Sequence, residues 1–532
     1  MQAFKIMAGK MLAGAVIALL LPAAAPAQPT VQLNSGGIRG AEKGMVDEFL
    51  GIPYAQAPVG ALRWHDPLPA KAWQGVRDAT NAPPACYQGP PGKFGPFTSE
   101  FLIQGPVSED CLYLNVWKPH RADGKLPVLV YIHGGGFGSG SGTIPIYEGG
   151  GLASRGAVVV TINYRLGVFG FLAHPDLTKE SALRSSGNYS LLDMIEALKW
   201  VRANIAQFGG DPANVTIAGQ SAGSAAVNDL IMSPLAEGLF QRAVAQSGSG
   251  MGIHMPSLAE AEATGVKFAE KMGAKSLAEL RAVPADALQQ AANVPPPTPG
   301  AKPARPTIVF TPNLDAIIVA GDPEDPTAPV ASKVPLLTGF NADEGTLFGN
   351  SDLTAADFAA LVHERYGQSA DRLLAVYPHA TDAEARASYK ILAQDRYMAG
   401  LVLWAQTRAA ASGQSVYVYL YDHPYPASSD GQNFGAFHTA EVPYVMGALD
   451  KGGRIFTDRD RAVSGTLQAH WLAFMKKGDP TLPGNAWSRA VAGAPLVMGL
   501  GDTTGPRLGV SSEARFEAFK DYVSSGGKLS LF

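Results

Sequence analysis

The 532-residue chain has only two cysteines, Cys86 and Cys111. That excludes a disulfide-dense scaffold and any four-cysteine metal site. It also lacks an excess of either charge, with 42 Lys+Arg against 46 Asp+Glu and a formal net of −4. With no basic stripe, a nucleic-acid partner is not expected. The glycines of residues 134–142 do not fall in a G-x-G-x-x-G register, and no G-x-x-x-x-G-K-[ST] occurs. No His/Cys/Asp/Glu group has metal-ligand spacing either, so neither a metal nor an organic cofactor is expected. Internal repeats and long charge runs are absent as well. The composition, 46% hydrophobic and 17% charged, rules out wholesale disorder, a coiled coil and a collagen-like chain.

One apolar run stands out, at the N-terminus. Lys5 and Lys10 precede residues 11–21, followed by small residues ending Ala25-Pro26-Ala27. A positive start, a short apolar run and an A-x-A exit predict a cleaved signal peptide over residues 1–27. The run is too short to span a bilayer, which takes about 20 residues, so no stable membrane anchor is expected after cleavage. Export, to the periplasm or out of the cell, follows, and an oxidising compartment permits a disulfide.

Length alone suggests three or four domains at ~150 residues each. The pattern of elements argues otherwise. Residues 128–133 (VLVYIH) and 157–163 (AVVVTIN) read as buried strands, and residues 215–219, 242–247, 334–339 and 416–422 repeat the short-strand pattern. Leu191, Ile195, Leu198, Val201 and Ile205 form one helical face. Such alternation implies an α/β fold, a mostly parallel sheet flanked by helices. The Pro/Gly-rich residues 83–97, the Ala-rich helical residues 257–291 and the extended residues 294–306 read as surface excursions. One catalytic domain over residues 28–532 is therefore expected.

Gly219-Gln220-Ser221-Ala222-Gly223 is a G-x-S-x-G between a strand and a helical stretch, the setting of a nucleophile elbow. A serine hydroxyl needs a base, and the base needs a carboxylate to orient it. Five histidines lie beyond residue 300: His363, His379, His423, His438 and His470. Position in a loop after a late strand favours His438, with His423 second; His470, beside Trp471 and Phe474, suits packing. Asp343 or Glu344, after the strand at 334–339, fits the acid, and local sequence does not choose between them. His133-Gly134-Gly135-Gly136-Phe137 fits an oxyanion loop, because glycines let backbone N–H groups approach a substrate carbonyl.

These pieces resemble the type-B carboxylesterase/cholinesterase family, in particular its bacterial members of the para-nitrobenzyl esterase type. Residues 208–223 (FGGDPANVTIAGQSAG) resemble the family's serine signature, and residues 109–119 (EDCLYLNVWKP) its second one. Residues 51–55 (GIPYA), 163–170 (NYRLGVFG) and 477–480 (KGDP) match too, so the resemblance runs from about residue 30 to 525. It implies an α/β-hydrolase fold and a serine hydrolase that cleaves a small-molecule carboxylic ester through an acyl-enzyme. By position in the family's motifs, it implies a triad of Ser221, Glu344 and His438, with Asp343 a structural neighbour. It further implies oxyanion donors at Gly135, Gly136 and Ala222, and a Cys86–Cys111 disulfide.

Counting along the same motifs puts pocket residues at Phe101 and His254, and Phe137, at the end of the glycine loop, is a third candidate. Phe101 falls where cholinesterases grip a quaternary ammonium with Trp, so a preference for uncharged esters over choline esters is expected. The chain departs from the family at Gln220, where Glu is frequent, and at Ser488 after Trp487, where Pro is usual. An amidase or thioesterase using the same triad, or a non-catalytic adhesion relative, is the alternative reading. The natural substrate and oligomeric state are not legible.

Overall fold

The structure, a computed structural model, describes residues 28–121, 124–251, 254–293, 310–345, 352–429 and 431–529. The leader expected over residues 1–27 and the excursion at 294–306 lie outside them.

Among the described residues, one sheet of 11 strands organises the molecule. In chain order these are β1 (Ala41–Lys43), β2 (Val46–Pro53), β3 (Tyr113–Pro119), β4 (Leu126–Ile132), β5 (Val158–Ile162), β6 (Gly210–Gln220), β7 (Arg242–Gln246), β8 (Leu336–Asn341), β9 (Val416–Tyr421), β10 (Leu496–Leu500) and β11 (Gly505–Leu508). In space they run β11-β10-β9-β8-β7-β6-β4-β5-β3-β2-β1. The centre, from β10 through β5, is parallel, and both margins are antiparallel.

The predicted strands are present because their apolar runs can be buried on both faces, as a covered parallel sheet requires. In β4, Val128, Val130 and Ile132 enter the core on one side, while Leu129 and Tyr131 enter the core on the other. The helical face around Leu191 becomes α1 (Tyr189–Asn204), and the stretch after Ser221 becomes α2 (Ala222–Met232). α3 (Asp382–Ser412) starts at a reciprocal Thr381/Glu384 cap and ends at Gly413, φ +72°. α4 (Val442–Met446) and α5 (Asp458–Lys477) pack on each other, and α5 lies against β4 and β6. Residues 257–291 form three short helices, as their periodicity predicts. No described helix is long and apolar enough to cross a membrane.

After β5 the chain crosses over β4 to enter β6, so strand order reverses there. Crevices at such a switch, beyond the carboxyl ends of parallel strands, are where open α/β sheets place ligands.

Candidate active site

Ser221 follows β6 directly and caps α2 at φ +58°, ψ −125°, a conformation costly for a residue with a side chain. The flanking glycines make it attainable. A Cβ on Gly219 would lie 2.3 Å from Gly223 O, and one on Gly223 would lie 2.1 Å from Ile132 O. The Ser221 N–H donates to Gln246 O (2.9 Å), tying the turn to β7.

The loop after β4 is built for close backbone approach. Gly135, Gly136 and Phe137 have φ of +113°, +61° and +59°. The Gly135 carbonyl is turned inward, accepting from Gly138 N (3.1 Å), Ser139 N (3.0 Å) and Ser139 Oγ (3.1 Å). The N–H groups of Gly135, Gly136 and Ala222 have no acceptor among the described residues. At the loop's root His133 Nδ1 donates to Gly134 O (2.8 Å), and its ring stacks on Tyr164. Burial pushes that imidazole down to about 4, so it is neutral at pH 7.

Glu344, in the turn after β8, is buried. Its Oε1 accepts from Ser247 Oγ (2.6 Å) and Asn341 N (3.0 Å), and its Oε2 is in hydrogen-bond contact with His438 Nδ1. Burial opposes charging the His438 ring. The Glu344 charge and its hydrogen bond outweigh that, Glu441 adds to them, and the ring's pKa is raised. The ring's other nitrogen, Nε2, lies 3.0 Å from Gln220 Nε2. With Nδ1 protonated toward Glu344, the amide donates to the Nε2 lone pair. Ser221 Oγ has no hydrogen-bond partner among the described residues. Catalytic hydrogen bonds are often loose until substrate arrives.

Asp343 does not touch the imidazole. Its Oδ2 accepts from Ala436 N (2.8 Å), its N–H donates to Ala436 O (3.0 Å), and its Oδ1 pairs with Lys390 (2.6 Å). It thereby pins the loop that carries His438. The other late-strand histidine, His423, is held between Asp460 (3.0 Å) and Asp502 (2.7 Å). His470 is buried, donates from Nδ1 to Pro480 O (2.7 Å) and packs on Trp487.

Sequence reasoning did not single out Glu441, three residues after the base. It is fully buried, accepts from Gln246 Nε2 (2.9 Å) and Asn341 Nδ2 (2.5 Å), and is pushed up to about 7 by burial. Asn341 links the groups: its N–H serves Glu344, its side chain Glu441 and the Phe437 carbonyl (2.8 Å). The spacing H-x-x-E was the available signal.

Ser221, His438, Gln220 and Gly135 floor a cavity of about 340 Å³. Phe94, Phe97, Phe101 and Ile103 wall one side, with Ile144 and Ile146 also lining it. No Asp, Glu, Lys or Arg is among the described residues lining it. Of the expected pocket residues, Phe101 lines the cavity. Phe137 does not; it is buried, edge-on to Phe171 (5.1 Å). His254 is exposed and lies outside it. Cys86 and Cys111, both buried, are joined in a disulfide that closes the loop bearing the phenylalanines.

A strained serine between strand and helix, over a sheet with this strand order, invites comparison with known esterases. The carboxylesterase family model matches residues 27–507. The chain is 37% identical over 468 residues to the fumonisin B1 esterase of Sphingopyxis macrogoltabida, covering 84% of this chain and 82% of that protein. It is also 37% identical over 471 residues to the para-nitrobenzyl esterase of Bacillus subtilis (strain 168), covering 86% and 91%. A solved PNB esterase structure superposes with a TM-score of 0.75 at 33% identity, covering 93% of this chain and 100% of that one. The fold is thus that of the α/β-hydrolases. The chain belongs to the carboxylesterase family and is a carboxylic ester hydrolase.

Proposed function

We propose that Ser221, His438 and Glu344 are the nucleophile, base and acid of an exported enzyme that hydrolyses uncharged esters with apolar acyl or alcohol groups. The observation that carries this is the meeting of the three residues at the carboxyl ends of β6, β8 and β9. There Glu344 and His438 are in contact, and both His438 and Ser221 line one cavity.

Ser221 Oγ attacks the ester carbonyl as His438 Nε2, released from Gln220, takes its proton. Glu344 stabilises the imidazolium from the Nδ1 side. The N–H groups of Gly135, Gly136 and Ala222 receive the oxyanion. The tetrahedral intermediate collapses, the C–O bond to the alcohol breaks, and His438 returns the proton to the departing oxygen. Water then adds to the acyl-enzyme by the same route and frees the acid.

The apolar, uncharged lining supports a neutral substrate. Phe101 is a weaker cation–π partner than Trp, a contact of about 0.5–2 kcal/mol. The paired cysteines support export to an oxidising compartment. The continuity of the sheet from β1 to β11 supports one catalytic domain over residues 28–532.

The test is a panel of para-nitrophenyl esters, matched amides and a butyrylcholine/neutral butyrate pair on the mature protein, with Ser221→Ala beside it. We expect neutral esters to be preferred to both amides and the choline ester. We also expect Ser221→Ala to lose roughly a millionfold in kcat with unchanged circular dichroism. Near-normal turnover in that variant defeats the mechanism, and a clear preference for the choline ester defeats the pocket reading.

A further inference from the structure

The aromatic wall of the cavity is placed from outside the site. Residues 87–110 leave the disulfide and return to it, bringing Phe94, Phe97 and Phe101 over Ser221. This stretch has little regular structure: the turn Ser99–Phe101 and the two-residue strand Val107–Ser108. Arg454, between α4 and α5, grips it at three alternate positions. Its Nη2 donates to Pro96 O (2.8 Å) and Thr98 Oγ1 (3.1 Å), and its Nε to Glu100 Oε1 (3.0 Å). Its Nη1 donates to Pro426 O (2.5 Å), anchoring the fork to the body of the protein. Thr98 Oγ1 in turn donates to Glu100 Oε2 (2.6 Å).

The Arg454 and Glu100 side chains are only 5% and 3% exposed, and neither residue lines the cavity. The guanidinium lies over Tyr425 (5.1 Å), whose ring contacts Phe101 (5.6 Å). Phe101 also meets Phe97 and Phe437, the residue before His438, each at 5.6 Å. A buried ion pair is weak evidence for stability, whereas a planar fork fixes geometry. Here the fixed points flank Phe97 on both sides and immediately precede Phe101, two of the rings in the wall.

We propose that Arg454 is a positioning residue for substrate selectivity. By holding Pro96, Thr98 and Glu100 it sets where Phe97 and Phe101 stand, and so the size of the ester group admitted above Ser221. The inference rests on that cavity being the one that receives the ester.

The test uses the full mature chain with Arg454→Met and with Arg454→Met/Glu100→Gln, the second leaving no unpaired buried charge if the first fails to fold. One readout is kcat/KM for para-nitrophenyl acetate, butyrate, octanoate and benzoate. The expected result is a change of about tenfold in the octanoate:acetate and benzoate:acetate ratios, the scale of a lost pocket contact, carried by KM. The kcat for acetate should stay within about twofold, since the reacting groups are untouched. The second readout is tryptic cleavage after Lys93, an exposed residue of the same loop. It is scored on reduced gels because Cys86–Cys111 holds the fragments together. Cleavage should be faster in both variants.

Unchanged ester ratios overturn the proposal, whether or not cleavage accelerates. Unchanged cleavage overturns the placement step. If instead Ser221→Ala keeps full activity, the catalytic reading fails, while the Lys93 result still reports on the clamp.

Discussion

The floor and the wall of the cavity are held by different physics. The floor hangs from the centre of a sheet. Ser221, Glu344 and the His438 loop leave neighbouring parallel strands, and their polar atoms are tied down by Gln246, Ser247, Asn341 and Asp343. The wall, residues 87–110, has almost no secondary structure and is held by side-chain contacts: the disulfide, the Arg454 guanidinium on Pro96, Thr98 and Glu100, Arg63 on Glu109 and Gln88 on Gly140. The Ser221 backbone, Glu344 and the His438 loop are tied to strands of one sheet, so a fixed reaction can be kept while the wall is varied. The segment carrying Phe97 and Phe101 has no such frame and leans on the side chain of Arg454, so one substitution there can alter which ester enters.

After Ser221→Ala, the largest effect should come from breaking the floor at the proposed acid. Glu344→Gln removes the charge that stabilises the imidazolium and should cost on the order of 10⁴ in kcat. Asp343→Asn weakens the clamp on Ala436 and removes the Lys390 ion pair, both away from the imidazole, so a loss on the order of tenfold is expected, the scale of one hydrogen bond at ~1.4 kcal/mol. Steady-state kinetics on the two variants decides it. A dead Asp343→Asn beside an active Glu344→Gln would reverse the assignment.

The wall offers the next largest effect, in stability instead of rate. Replacing both Cys86 and Cys111 by Ser frees a 25-residue separation, worth roughly 3 kcal/mol by loop-closure entropy. We expect a lower denaturation midpoint, with kcat on a small ester little changed. An unchanged midpoint, or two alkylatable thiols in non-reduced native protein, contradicts the closed wall.

The same contrast explains what was legible in the sequence. The floor's strands announce themselves, because apolar runs such as that at 128–132 must be buried on both faces. The glycines at 219 and 223 mark a turn that only they allow. What could not be read was orientation. Asp343 and Glu344 are adjacent, and only the path of the chain after β8 turns one toward Ala436 and the other toward His438. The contact of Gln220 with His438 joins residues 218 positions apart. In the wall, Pro and Gly erase any periodicity; of the three residues expected in the pocket, Phe101 lines the cavity, while Phe137 and His254, the latter reached by counting across a loop, lie outside it.

The smallest predicted effect lies beneath the floor, at Glu441. In the proposed mechanism His438 accepts the serine proton only when its Nε2 is unprotonated, so kcat/KM is expected to fall as pH drops through the ring's pKa. Glu344 raises that pKa against the opposing effect of burial, and the buried charge of Glu441 raises it further. Burial pushes Glu441 itself up to about 7. Glu441→Gln preserves shape but removes the negative charge, and the imidazolium then loses one source of stabilisation. The acid limb of kcat/KM should therefore move to lower pH by roughly half a unit, equivalent to about 0.7 kcal/mol. Activity on the alkaline plateau, above the ring's own titration, should change little. A limb that stays in place, or moves to higher pH, means the Glu441 charge is not felt at the base, and the groups beneath the floor serve only to hold Asn341 and Gln246.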